Sequence, residues 1–231
     1  MLTTGSRIAT RLALVAWTVT SGLSACSKNT PAAPAAPVAA SIISTTLAAN
    51  LVAPVATGIP GGVSVQVLDA TGAPVSGVTV SWTAFNGGIA SEAATTTDSN
   101  GKTSIAWQFG TIAGADSLQA SVGTTVSTYI VGTALAGPVA QLVEVAGDQD
   151  VLGEGVSAQL VVKAVDQYGN AVSNSTVAWI DQGGGVLSGT STMTDANGLA
   201  TVTLTTDMAP EQYVIVAQDG TASVTFVDTS M

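Results

Sequence analysis

The sequence predicts an all-β protein built from two tandem β-sandwich domains, and three observations carry that prediction. The first is an internal echo. Asp69-Ala-Thr-Gly-Ala-Pro-Val-Ser returns as Asp166-Gln-Tyr-Gly-Asn-Ala-Val-Ser, Val80-Ser-Trp82 as Val177-Ala-Trp179, and Thr97-Asp-Ser-Asn-Gly101 as Thr194-Asp-Ala-Asn-Gly198. All three landmarks recur at one offset of 97 residues without a gap, which marks a duplicated domain rather than a chance match in a Gly- and Thr-rich chain. The second is a period of two: Val63, Val65 and Val67 alternate with Ser64, Gln66 and Leu68, and Val78, Val80 and Trp82 with Thr79, Ser81 and Thr83, which is strand spacing. The third is turn chemistry. Asp69 to Gly72 and Asp166 to Gly169 place a carboxylate able to hydrogen-bond its own backbone ahead of a glycine that tolerates positive φ. Asn100-Gly101 and Asn197-Gly198 are hairpin signals.

Taken in order, the chain opens with a processing signal. Arg7 and Arg11 flank a short apolar stretch from Leu12 to Thr20, followed by Leu23-Ser24-Ala25-Cys26; the run is too short for a stable transmembrane anchor. This arrangement resembles the lipobox of bacterial lipoproteins, and Cys26 is the one cysteine of the chain. The resemblance implies a signal peptide over residues 1–25, removed before Cys26, and a diacylglycerol and a further acyl chain such as palmitate on that cysteine. More than one acyl chain makes membrane attachment durable. An ordinary secretory signal with an incidental cysteine is the alternative. Ser27, where Asp would mark retention at the inner membrane, resembles the outer-membrane signal of Gram-negative lipoproteins. Residues 26–39 then form a Pro/Ala-rich linker whose prolines favour extended conformers, a spacer clearing the membrane.

Two domains follow, at 40–136 and 137–231, divided at Gly137-Pro138. Ile105, Trp107 and Phe109 continue the strand alternation in the first, Val202 and Leu204 in the second. Trp82 and Trp179 are expected core plugs, with a stacking platform for a sugar or base as the alternative. Loss of residues 1–25 removes both arginines and leaves three lysines against fifteen acidic residues, a formal charge of −12. Nucleic acid is thereby excluded as a partner, since phosphate binding needs clustered Lys and Arg. With no thiol pair, stability must come from hydrophobic cores, which about 95 residues per copy suffice to build.

The run from Val63 to Val131 and its counterpart from Leu160 to Phe226 resemble the bacterial Ig-like domain of group 1, found in the intimin and invasin adhesins and in many secreted surface proteins. That family's pattern is a Val-rich strand, Asp-x-x-Gly-Asn-x-Val, a strand bearing an aromatic, a Gly-Gly turn, then Thr-Asp-x-x-Gly-x-Ala. It corresponds here to Asp69, Gly72, Val75, Trp82, Gly87-Gly88, Thr97-Asp98 and Gly101. In copy two it is Asp166, Gly169-Asn170, Val172, Trp179, Gly184-Gly185, Thr194-Asp195 and Gly198-Leu199-Ala200. Copy one departs from it at Ala73-Pro74 and Lys102-Thr103. The resemblance implies Ig-like sandwiches on a cell surface. In the adhesins such domains commonly form a stalk while a different terminal domain binds the receptor; the sequence reaches Met231 soon after copy two, so no lectin-like tip is expected.

The chain has no His, and its cysteine is assigned to lipid, which removes Ser-His-acid and Cys-His catalysis and zinc sites built on those residues. A carboxylate-pair hydrolase would need two acids flanking a cleft, whereas the repeated Asp69/Asp166 and Asp98/Asp195 sit in turns. No enzyme, and no catalytic residue, is expected. Asp148, Asp150 and Glu154, near the junction and not duplicated, are a candidate calcium site that would stiffen the joint; their spacing fits no defined calcium loop, and a solvated acidic surface is the other reading. The aromatics fall mostly in core registers, Tyr168 inside the Asp-x-x-Gly turn being the exception. The function expected is that of a lipid-anchored cell-surface protein of the Gram-negative outer membrane, its modules acting as spacer or in adhesion. The alternatives are a module binding a surface polysaccharide or protein, through exposed loops such as 181–185 or an edge strand, and a subunit of a cell-envelope assembly.

Overall fold

The computed structural model describes residues 37–48, 51–148, 150–209 and 211–231. The signal peptide, Cys26 and most of the linker lie outside the described residues.

The first sandwich contains β1 (Ser41–Ser44), β2 (Val52–Pro54), β3 (Val63–Leu68), β4 (Thr79–Ala84), β5 (Ile89–Ala90), β6 (Ala94–Thr96), β7 (Lys102–Ile105), β8 (Trp107–Gln108), β9 (Gly114–Val122) and β10 (Val126–Leu135). The second contains β11 (Gln141–Ala146), β12 (Val151–Leu152), β13 (Ser157–Val165), β14 (Thr176–Asp181), β15 (Val186–Leu187), β16 (Ser191–Met193), β17 (Leu199–Thr205), β18 (Gln212–Asp219) and β19 (Ala222–Ser230). In the first, β1-β3-β7 faces the five-stranded β2-β10-β9-β4-β6; in the second, β11-β13-β17-β15 faces β12-β19-β18-β14-β16. Neighbours pair antiparallel except at β2 with β10 and β12 with β19, where a short early strand joins the last strand of its domain in parallel.

Strand periodicity becomes burial periodicity. Val63, Val65 and Val67 are wholly buried while the residues between them are half-buried, and Leu160, Val162 and Ala164 repeat this in β13. Each sandwich closes on its own apolar cluster, one from Ile42 to Ala134 and one from Leu142 to Phe226. Trp82 and Trp179 fill the same place in each: an alanine, Ala120 or Ala217, stands opposite in the pairing strand, leaving room for the indole. Each indole Nε1 donates to a threonine of the edge strand, Thr95 or Thr192, at 2.8 Å. The buried indole N–H is thus paired, as its desolvation requires, and both tryptophans are core plugs rather than stacking platforms.

The duplicated Thr-Asp-x-x-Gly motif is equally mechanical. Thr97 and Thr194 are buried, and each hydroxyl donates to a carbonyl in the preceding turn region, Val75 O at 2.8 Å and Val172 O at 2.7 Å. Each also accepts from a backbone N–H, that of Val78 or Ser175. The adjoining Asp98 and Asp195 accept from the N–H groups two and four residues on, all at 2.8 Å. These donors, led by the Lys102 and Leu199 N–H groups, hold both carboxyls below the usual range. Gly101 and Gly198 have φ of +68° and +76°, and a Cβ there would stand 2.6 and 2.7 Å from a carbonyl oxygen of the facing strand. Only glycine meets both conditions.

Because the two cores are separate, damage to one is expected to stay in one. Trp179→Ala, which empties the centre of the second cluster, is expected to cost that sandwich about 3–5 kcal/mol. In denaturant titrations followed by circular dichroism, its transition should move to lower denaturant while that of the first sandwich stays in place.

Candidate functional site

The junction between the sandwiches is built from one turn of the second copy. Asp166 Oδ1 accepts from the N–H of Tyr168 at 2.8 Å and of Asn170 at 2.9 Å, closing the Asp-x-x-Gly turn. Its other oxygen accepts from Gly137 N in the connection between domains, at 2.9 Å, and from the Asn170 amide at 2.9 Å. Asn170 then reaches into the first sandwich: its Oδ1 accepts from Ala113 N and its Nδ2 donates to Thr111 O, both at 2.8 Å. Burial would raise the Asp166 carboxyl, but the Asn170 amide and the Gly137, Asn170 and Tyr168 N–H groups outweigh it and keep it below the usual range. Beside this latch lies a cleft of about 340 Å³ lined by Pro54, Val55 and Thr57 of the first sandwich, the connection from Gly137 to Ala140, and Asp166 to Tyr168. Tyr168 is 44% exposed and forms one wall of the cleft.

Copy one shows that the latch is an addition to the turn and not part of it. Asp69 Oδ1 accepts from the N–H of Thr71 and Ala73 as its counterpart does, with the Thr71 hydroxyl the leading cause of its lowered pKa. Ala73 stands where Asn170 stands in copy two, and it closes the turn equally well without any side chain to reach outward.

The unduplicated acidic residues gather around a partner that sequence spacing did not reveal. Asp228, in β19, is 1% exposed. Its Oδ1 accepts from Asp150 N at 3.0 Å, and its Oδ2 is buried without a hydrogen bond among the described residues. Asp148 Oδ1 accepts from Val227 N at 2.8 Å, tying the same loop to the same strand. Burial pushes the Asp228 carboxyl above its usual range; the Asp150 N–H opposes this, and the charges of Asp150, Asp148 and Glu144 add to it. Glu144, not Glu154, is the third acid acting on this point. Among the described residues, no three acidic, His or Cys side chains converge closely enough to hold a metal ion. The residues present are fitted to pinning the β11–β12 loop onto β19.

Most aromatics are where the alternation puts them: Trp107, Phe109, Tyr213 and Phe226 are fully buried. Tyr129 is not. It is 60% exposed on β10, and Phe85, 37% exposed, packs beside it with ring centroids 6.1 Å apart. The core register expected for Tyr129 is therefore corrected: its neighbours Ile130, Gly132 and Ala134 face inward instead.

Two sandwiches of antiparallel sheets, each closed by a parallel pairing of its second strand with its last and repeated in tandem, define a pair of immunoglobulin-like modules. Residues 145–230, within the second module, match the family described as bacterial Ig-like domain (group 1). No curated protein sequence matches the chain. Among solved structures, InvD of Yersinia pseudotuberculosis is similar with a TM-score of 0.54 at 19% identity, covering 83% of this chain and 56% of that one. FdeC, an Escherichia coli adhesin, is similar with a TM-score of 0.51 at 18% identity, covering 82% and 63%. This chain thus spans less than two thirds of either, and the likeness is one of fold.

Two substitutions test these assignments. Asn170→Ala removes both cross-domain hydrogen bonds and is expected to lower domain coupling by about 1–2 kcal/mol, seen as a broadened interdomain distance distribution in small-angle scattering with both melting transitions retained. Asp228→Asn keeps an acceptor for the Asp150 N–H and removes a disfavoured charge. A folded pKa above the unfolded one means that the ionised carboxylate destabilises the fold at neutral pH and that stability recovers as pH falls through the folded value. At pH 7 the variant should melt higher, by roughly 4–8 °C per kcal/mol relieved, and this gain should shrink in acid.

Proposed function

We propose that this chain is a lipid-anchored cell-surface protein of the Gram-negative outer membrane whose two Ig-like modules act as a stiff spacer in surface presentation or adhesion. The observation that carries the reading is the junction. A flexible tether needs no side chain directed across its joint, whereas here Asn170 satisfies a backbone donor and a backbone acceptor of the neighbouring module at once, and Asp166 fixes the connecting segment at Gly137. Interfaces between domains of one chain permit relative motion by default, and paired polar contacts of this kind oppose it.

Three further facts support the reading. The segment Leu23-Ser24-Ala25-Cys26 has the lipobox pattern, and the stretch that follows is rich in proline and alanine. The acidic balance beyond Cys26 keeps the modules off anionic surfaces and soluble at a membrane. FdeC, whose fold the chain shares, is an adhesin.

Metabolic labelling with a palmitate analogue tests the anchor. The wild-type chain is expected to incorporate label and to sediment with membranes, and Cys26→Ser to lose both, with its modules still folded. Absence of label on the wild type would remove the anchor from this proposal.

A further inference from the structure

The outer face of the first module's five-stranded sheet carries two cross-strand rows. Thr83 pairs with Gln119, which pairs with Tyr129. In the next row the Phe85 N–H donates to Ser117 O, and Ser117 pairs with Val131. The two rings therefore sit diagonally across a patch of hydroxyl and amide groups, 6.1 Å apart and inclined by 42°, with Val131 59% exposed beside them.

The second module supplies an internal control. Its corresponding rows are Ile180–Val216–Thr225 and Gln182–Val214–Val227, the same sheet at the same positions with no ring in either. The fold therefore does not require Phe85 or Tyr129. Apolar residues exposed singly are ordinary, whereas three that adjoin inside a polar rim, as Phe85, Tyr129 and Val131 do, form the kind of surface that takes a ligand.

The charge pattern selects the ligand. The outward positions of β4, β9 and β10 hold no Asp, Glu, Lys or Arg, although the chain as a whole carries −10. An anionic polymer finds no cation on this face and meets the field of the remaining acids, and a basic segment finds no carboxylate to pair with. A neutral sugar needs neither: its C–H faces stack on rings while its hydroxyls exchange hydrogen bonds with Ser, Thr and Gln side chains. A second copy of the chain fits less well, because a stable interface buries about 800 Å² on each partner and this apolar patch is three residues wide. From these observations we infer that the Phe85–Tyr129 face is a binding platform for a neutral polysaccharide. This goes beyond the spacer role and does not depend on the lipid anchor or on the stiffness of the joint.

Affinity electrophoresis of the full chain, purified in mild detergent, tests it with gels containing laminarin, mannan, dextran or, as the anionic probe, polygalacturonate. Retardation by at least one neutral polymer and none by polygalacturonate is expected. Tyr129→Ala and Phe85→Ala should each weaken the neutral interaction at least tenfold, and Tyr129→Trp should retain it. Both positions are on the surface, so unchanged melting midpoints will show that the variants are folded. The inference is overturned if no neutral polymer retards the chain, if retardation survives both alanine substitutions, or if polygalacturonate retards it equally. It is also overturned if sedimentation shows self-association that Tyr129→Ala abolishes, which would give the face to a second copy.

Discussion

The Asp166 carboxylate is the point at which the turn, the connection and the neighbouring module meet. One oxygen closes the Asp-x-x-Gly turn by accepting two backbone N–H groups; the other takes the Gly137 N–H and the Asn170 amide. A carboxylate accepts through both oxygens and donates through neither when ionised, so one side chain can order four donors from three residues without leaving one unpaired. Asn170 is oriented by that carboxylate before it meets the first module. Its contacts with Ala113 and Thr111 then require little further loss of side-chain freedom, which is what makes a pair of modest hydrogen bonds effective at a joint.

Duplication sorts the residues by purpose. What both copies keep is what a sandwich needs: the indole with its alanine opposite and its threonine acceptor, the buried Thr97 or Thr194, the turn carboxylates, and the glycines at positive φ. What only one copy keeps is not required by the sandwich as such. Asn170 against Ala73 is the joint. Phe85 and Tyr129 against Gln182 and Thr225 are the exposed ring pair. Asp228, against the first module's uncharged β10, is a buried carboxyl that accepts from Asp150 N.

Local signals were legible in the sequence, and long-range ones were not. The Thr-Asp-x-x-Gly turns could be read because their donors lie two and four residues from the acceptor. Strand alternation gave the period, and for β3 also the buried face, since Val alternates with Ser and Gln. In β10 the same rule fails: the larger set Tyr129, Val131 and Leu135 faces out, and Ile130, Gly132 and Ala134 face in. The cause is a neighbour far away in sequence. A Cβ on Gly132 would stand 2.5 Å from the Phe109 ring, so Phe109 already fills the space that a β10 side chain would occupy. Asp228 escaped for the same reason: it accepts from Asp150 N, and the adjoining Val227 N donates to Asp148, across almost eighty residues of chain. Asn170 was visible as a motif residue, but its role depends on Thr111 and Ala113 in the other module.

The latch is also selective in direction. It needs an asparagine at the entry of one module and a free backbone N–H at the exit of the module before it. At the internal joint both are present, in Asn170 and Ala113. At the entry of the first module the corresponding residue is Ala73, which offers neither an acceptor nor a donor. Counting the same 97 residues on from Ala113 reaches Pro210, and proline has no N–H to give. Two copies of the chain brought end to end would therefore lack both halves of the interaction that joins their own modules. Duplication alone therefore does not repeat the contact, because the two residues that make it, Asn170 and Ala113, are ones in which the copies differ.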